Sequence, residues 1–361
     1  MKRVLFIAMH RLERSPSQRF RYEQYIDYLE KYGFECHLSY LLNKKDDRIF
    51  YSTGKYIQKF IILLKMIFTR IIDFLRAGKF DIIFIQREAF VLGTVLFEKL
   101  FSHTSAKLVF DFDDSIWLSN VSKANKALSW LKKSEKTSKI ISLCDFIFAG
   151  NQFLADYANK FNSNVAILPT TIDTDKYVSK KKDLFKNRIC IGWSGSITTI
   201  EHFKLSIPVL KQIKKKYGEK VYFKVIGNGN YKCSELEITS IDWNMSSELE
   251  DLSEIDIGIM PLANDKWASG KCGLKGLQYM SLGIPTIMSP IGVNTEIIED
   301  GVNGFLAAED EEWIEKLSKL IENPVLLHNI GEKGRKTIVE KYSFHSQKDR
   351  YLSLLNSMLK H

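Results

Sequence analysis

The chain has only five cysteines in 361 residues, scattered at Cys36, Cys144, Cys190, Cys233 and Cys272, and no two of them form a Cys-x-x-Cys pair. That spacing argues against a disulfide framework and a thiolate zinc site, and it suits a reducing compartment. The histidines, His10 and His202 among them, have no metal-ligand spacing. A secretory signal is also lacking: Met1-Lys2-Arg3 leads into Val4–Ala8, too short an apolar run, and His10, Arg11 and Glu13 follow at once. No apolar run reads as a membrane span. Tyr56–Leu75 comes nearest, but Lys59, Lys65 and Arg70 interrupt it and most of its polar residues fall on one half of a helical wheel. It reads as an amphipathic helix laid on the protein core, because a strand follows it directly; the alternative is a membrane surface.

Acidic residues are in deficit. Against 52 Lys and Arg there are 43 Asp and Glu, a net charge of +9. An anionic partner is therefore expected, and nucleic acid, acidic lipid and nucleotide substrates all qualify. The lysines lack the interleaved aromatics of a nucleic-acid motif, which sets nucleic acid aside. Six of them (Lys123, Lys126, Lys132, Lys133, Lys136 and Lys139) fall in Val121–Ile140, with Leu128, Trp130 and Leu131 between them. This basic helix, 121–140, suits either a core or a membrane surface. The expected location is cytoplasmic, with peripheral attachment to the inner face of the cell membrane.

What is present is a globular composition, 45% hydrophobic and 26% charged, at a length suited to two domains. Short β-branched runs alternate with helical stretches. The first half offers strands at Arg3–Ala8, Phe34–Tyr40, Asp81–Gln86, Lys107–Phe112, Asp145–Ala149 and Asn164–Leu168. After a polar, lysine-rich segment the alternation restarts at Arg188–Trp193, Val221–Ile226, Asp256–Met260, Pro285–Met288 and Gly304–Leu306. Such alternation predicts βαβ units, hence an α/β chain of two doubly wound domains. The expected division is 1–173, a linker 174–187, 188–342, and a final helix 343–361. Ligands of such sheets bind where strand carboxyl ends and their loops converge.

Three segments suit a phosphate. Ile191-Gly192-Trp193-Ser194-Gly195-Ser196 ends a strand with small residues before a helix. Ile226-Gly227-Asn228-Gly229 ends the next; an ordinary tight turn is its plainer reading. Ser269-Gly270-Lys271-Cys272-Gly273-Leu274-Lys275-Gly276-Leu277-Gln278 reads as a glycine-bearing loop entering a helix, whose first amides and dipole favour an anion. An ordinary crossover is the plainer reading here too. Arg19 and Arg21, at the start of the first helix, suit an acceptor phosphate or surface ion pairs. Asp111-Phe112-Asp113-Asp114 ends a strand; Asp114 suits a helix cap.

In this order, and with Gly292-Val293-Asn294-Thr295-Glu296 and Asp300-Gly301-Val302-Asn303-Gly304-Phe305 downstream, the pieces resemble the donor-binding half of the retaining glycosyltransferases of family 4. Pro16-Ser17-Gln18-Arg19-Phe20-Arg21 and Phe110-Asp111-Phe112-Asp113-Asp114-Ser115-Ile116-Trp117 are similar to one polysaccharide-building branch of that family. The resemblance implies the GT-B fold, two Rossmann-like domains facing a cleft, with the final helix returning to the N-terminal domain. It implies a nucleotide-sugar donor and a glycan or lipid-linked acceptor, with no metal cofactor. The implied donor residues are Gly195, Ser196, Gly227, Asn228, Gly270, Lys271, Cys272, Gly273, Leu274, Gln278, Asn294, Thr295 and Glu296. Arg19, Arg21 and Asp114 are implied at the acceptor, and Asp113 and Lys271 in catalysis. Two positions depart from the family: glutamates are usual where Gly270 and Gln278 stand. Gln278 can still hydrogen-bond a ribose, and Lys271 can supply cationic charge; Gly270 cannot replace a carboxylate. Three readings compete with this one. They are an Asp111-x-Asp113 metal site of the single-domain transferases, a non-catalytic scaffold, and a nucleotide-sugar epimerase.

Overall fold

The structure, a computed structural model, describes residues 1–118, 135–179 and 186–359. The lysines at 123, 126, 132 and 133, and residues 180–185 of the expected linker, lie outside them. The chain forms two compact units: Met1–Thr170 with Lys348–His361, and Thr171–Gln347.

The first unit is built on six parallel strands, β1 (Lys2–His10), β2 (Phe34–Leu42), β3 (Ile82–Gln86), β4 (Lys107–Phe112), β5 (Phe146–Ala149) and β6 (Val165–Ile167), in the order β2-β1-β3-β4-β5-β6. The second has β7 (Ile189–Ser194), β8 (Val221–Ile226), β9 (Ile238–Ile241), β10 (Ile257–Met260), β11 (Thr286–Met288) and β12 (Phe305–Leu306), in the order β12-β11-β10-β7-β8-β9. Residues such as Val4–Ile7, Ile82–Ile85 and Ile257–Met260 are buried without alternation, as expected for parallel strands covered by helices on both faces. Every strand expected from the sequence is present, its ends shifted by a residue or two; β9 was not anticipated. Strand order reverses between β1 and β3 in the first unit and between β7 and β10 in the second. Those are the points where loops diverge and leave a crevice.

The helix Tyr56–Arg76 departs from expectation. Only Ile62, Met66, Arg70 and Asp73 are buried, while Tyr56, Ile57, Phe60, Leu64, Phe68 and Leu75 are exposed. Its inward side is polar as much as apolar. Arg70 pairs with Asp73 at 2.8 Å and donates to the carbonyls of Ala89 (2.6 Å) and Ala8 (2.9 Å). The broad apolar side does not lie on the core.

The final helix, Phe344–Ser357, begins in the second unit and ends in the first. There Tyr351 stacks on Tyr25 with ring centres 4.3 Å apart and meets Phe148 edge-on at 5.8 Å. Its fully buried ring completes the aromatic core around Phe84.

Candidate functional site

In the second unit the carboxyl ends of β7 and β8 are drawn together by glycines. Gly227 has φ +111°, and a Cβ there would stand 1.7 Å from the carbonyl oxygen of Gly195. Only a residue without a side chain lets these turns touch. The N–H of Gly195 donates to Ile226 O at 2.9 Å, and Ser196 caps the turn that follows by exchanging bonds with Thr199. On the other side of the strand-order reversal, the loop after β10 forms a short helix, Lys266–Ser269, capped by Asp265. The chain then passes through Gly270, Lys271 and the buried Cys272 to Gly273, which has φ +70° and opens the helix Leu274–Ser281. Gly273 has no side chain to cap the first amides of that helix, and a helix start of this kind suits an anion.

This helix is held close to the sheet. The Tyr279 hydroxyl bonds Ser194 N at 2.6 Å and Ser194 Oγ at 2.9 Å, tying the helix to the end of β7. A Cβ on Gly276 would overlap the Met288 methyl at 1.7 Å. Two lysines flank the helix start. Lys271 Nζ stands 5.4 Å from the centre of the Trp267 ring, and Lys275 Nζ 4.9 Å from that of Trp193. His202, on the helix after the β7 turn, feels both: burial pushes its pKa down to about 4, and the charges of Lys271 and Lys275 add to the effect. The imidazole is neutral at pH 7 beside two cations, an arrangement that favours an incoming anion.

Three expected donor residues are engaged in ways the sequence did not indicate. Gln278 is buried, and its amide nitrogen donates to the Tyr177 hydroxyl at 3.1 Å and to Glu248 Oε1 at 3.3 Å. Tyr177 and Trp243 also donate to Glu248, at 2.9 and 2.8 Å. The Gln278 amide nitrogen thus helps to satisfy a buried carboxylate. Asn294 is buried and donates to Ser289 O at 2.9 Å, bracing the loop after β11. Thr295 is exposed and bonds Gly292 O at 2.9 Å; Glu296 is exposed beside it. Asn228 lies in the turn after β8, where its carbonyl accepts from Tyr231 N.

The corresponding edge of the first unit is filled with charge pairs. Arg21 lies beyond the short helix Pro16–Arg19, is buried, and grips both carboxylate oxygens of Asp111 while donating to Leu168 O. Its fork is engaged in the interior, so of the two expectations for Arg21 the ion pair is the one seen, here buried. Arg19 is half-buried against the Phe20 ring. Asp113 is bound by Arg87, Nε to Oδ1 at 2.8 Å, and Arg87 holds the left-handed conformation, φ +63°. A long side chain in that region costs roughly 1–2 kcal/mol, which the surrounding bonds must offset. Asp114 Oδ1 accepts from Ser115 N at 3.0 Å, a local turn bond. Asp47 collects Arg11 at 3.1 Å and Arg14 at 2.7 Å beside His10, whose pKa burial lowers to about 4.

Residues 175–337 match the family described as Glycosyl transferases group 1. The second unit belongs to the group 1 glycosyl transferases. A curated relative, an uncharacterized glycosyltransferase of Methanocaldococcus jannaschii, is 24% identical over 307 residues, 78% of this chain and 76% of its own. A poly(ribitol-phosphate) alpha-N-acetylglucosaminyltransferase of Staphylococcus aureus is 37% identical over only 88 residues, 24% of this chain and 18% of its own. Among solved structures, sucrose-phosphate synthase from Thermosynechococcus elongatus superposes with a TM-score of 0.71 at 10% identity, covering 99% of both chains. HepE of Anabaena, solved with UDP-glucose, gives 0.69 at 13% identity over 99% of this chain and 100% of its own. These likenesses show the fold: both units are Rossmann-like, and the chain has the GT-B architecture.

Within this transferase domain, His202 is the site residue that motif reading left out, as is Arg87 in the first unit. Lys275 had a signal, since it falls four residues after Lys271 at a helix start. His202 and Arg87 had none, because the contacts that define them cross between strands. Among the described residues, one group could hold a metal ion: Asp173, Asp175 and His345, with ligand atoms within 4.8 Å of one another. It includes neither carboxylate of the Asp111-x-Asp113 motif.

Proposed function

We propose that the chain transfers a sugar from a nucleoside diphosphate to a hydroxyl of a glycan acceptor, with retention of configuration and without a metal ion. The observation that carries this reading is the convergence, at the strand-order reversal of the second unit, of the Gly195 and Gly227 turns with the Gly273 helix start, Lys271 and Lys275. The bond from the sugar anomeric carbon to the diphosphate oxygen breaks as the bond to the acceptor oxygen forms. The acceptor proton passes to the departing phosphate. Negative charge grows on the diphosphate in that step, and the helix amides and the two lysines are placed to meet it. The charge that a metal would supply comes from the protein itself. Ser196, Asn228, Thr295 and Glu296 are read as lining the donor's base and sugar. Asp113, set by Arg87, is read as touching sugar or acceptor, with Asp114 next to it in the chain; Arg19 is also read at the acceptor.

HepE was solved with UDP-glucose, and the Staphylococcus relative is named for a polymeric phosphate acceptor. Both support this donor class and an anionic glycan, which suits a net charge of +9. The free cysteines suit a cytoplasmic setting. A second reading, a non-catalytic scaffold, is favoured by the glycine at 270, where a carboxylate is usual. Melting curves with a panel of uridine, guanosine and adenosine diphosphate sugars test the proposal. One donor should raise the melting temperature by several degrees at saturation, since a ligand bound only by the folded state stabilises it. A donor that binds but is neither hydrolysed nor transferred favours the scaffold. No shift with any donor, in folded protein, sinks the donor site.

A further inference from the structure

The helix Tyr56–Arg76 presents an apolar side that the fold does not use. Ile57, Phe60, Leu64, Phe68, Ile71 and Leu75 recur at helical spacing, all exposed, with Phe68 at 64% and Leu75 at 76%. They lie in one stripe covering about a quarter of the circumference and about 27 Å long. A folded chain rarely leaves so long an apolar stripe in water without an occupant.

Charge says what the occupant is. The helix Lys44–Phe50 packs beside this one. Their acidic residues, Asp46, Asp47 and Asp73, are all buried, each beside a basic partner. Of the basic residues on the two helices and their connection, only Arg70 is buried. Lys44, Lys45, Arg48, Lys55 and Lys65 are exposed, and Lys59 and Arg76 half-exposed. The exposed charge on these two helices and their connection is thus of one sign. A second copy would bring cationic charge against cationic charge, whereas an anionic lipid surface satisfies stripe and charge together. Crossing the bilayer is not the arrangement, since no helix among the described residues is long and apolar enough. Arg70 and Asp73 also commit the opposite side of the helix to the first unit.

We propose that Tyr56–Arg76 lies flat on an anionic membrane, its stripe at the level of the acyl-chain boundary and the exposed lysines against lipid phosphates. The proposal does not depend on the donor site, because the helix belongs wholly to the first unit.

Sedimentation with vesicles tests it. The full chain should pellet with vesicles of phosphatidylcholine mixed with phosphatidylglycerol and remain in solution with phosphatidylcholine alone. The triple variant Phe60→Gln, Leu64→Gln, Phe68→Gln changes only exposed side chains, so it should keep its melting temperature and any donor-induced shift. Its partition into mixed vesicles should fall at least tenfold. If that variant fails to fold, Phe68→Gln alone should weaken partition severalfold. Failure of the unaltered chain to pellet with mixed vesicles overturns the proposal. So does undiminished binding by the variants, which would place attachment elsewhere, for instance in the lysine-rich 121–140 segment. A dimer in solution that the variant converts to monomer, with no vesicle binding, assigns the stripe to a second copy and overturns it equally.

Discussion

The two units have the same kind of sheet, and at their strand-order reversals they do opposite things. In the second, the crevice between β7 and β10 is walled by backbone: turns at Gly195 and Gly227 in contact, and a helix that opens on Gly273. Its cations rest on aromatic faces, with a neutral imidazole beside them. In the first, the ends of β1, β3 and β4 are bound up by ion pairs, Arg21 with Asp111, Arg87 with Asp113, and Arg11 and Arg14 with Asp47. One edge sets its cations on aromatic rings; the other binds its charges in ion pairs. The same doubly wound plan therefore yields a glycine-lined edge or a braced edge, according to whether glycine or arginine follows the strand.

The sharpest way to break this comparison is to remove a brace. Arg21→Ala leaves Asp111 buried without its partner and should cost about 3–5 kcal/mol, read from denaturant unfolding. A loss below about 1 kcal/mol would mean that the first unit's pairs are not structural. Next in size is the matching change in the other unit. Lys271→Ala with Lys275→Ala should slow transfer by about a hundredfold, the scale of losing charge stabilisation in a transition state. Its melting temperature without ligand should stay within a degree or two. Steady-state rates and melting curves on one preparation decide it, and a destabilised but active variant would reverse the contrast.

The smallest effect concerns pH. His10, facing Asp47, Arg11, Arg14 and Arg87, titrates at about 4 in the fold, against 6.5 for an exposed histidine. The unfolded chain therefore takes up a proton before the folded chain does. Stability from this group is present above about pH 6.5 and is lost as the pH falls toward 4. His202 acts in the same direction and the same window. The melting temperature should drop by a few degrees across that interval, and His10→Gln should reduce the drop. A stability that rises on acidification would contradict both assignments.

Much of the architecture was legible because parallel strands buried on both faces leave continuous β-branched runs such as Ile82–Ile85 and Ile257–Met260. The short edge strand β9 was not, since Ile238-Thr239-Ser240-Ile241 is partly polar and half-exposed. The Tyr56 helix was read inside out. Periodicity shows that a helix has an apolar side, and that side normally meets the core. Here a buried Arg70–Asp73 pair anchors the other side, and nothing local marks an arginine as buried. At the site, glycines announced the turns because backbone contact demands them. The role of Gln278 was hidden because its partners, Tyr177 and Glu248, are remote in sequence. The buried partner of Arg21 was hidden for the same reason, Asp111 being 90 residues away in sequence.

The final helix has a consequence for synthesis. Residues 171–347 form one continuous stretch, so the second unit has all its parts once Gln347 has emerged from the ribosome. The first unit does not, although its chain is made earlier, because Tyr351 must still arrive to cover Tyr25 and Phe148. The usual order, in which the amino-terminal domain folds first, is thereby inverted. The half of the molecule born first is the half that finishes last.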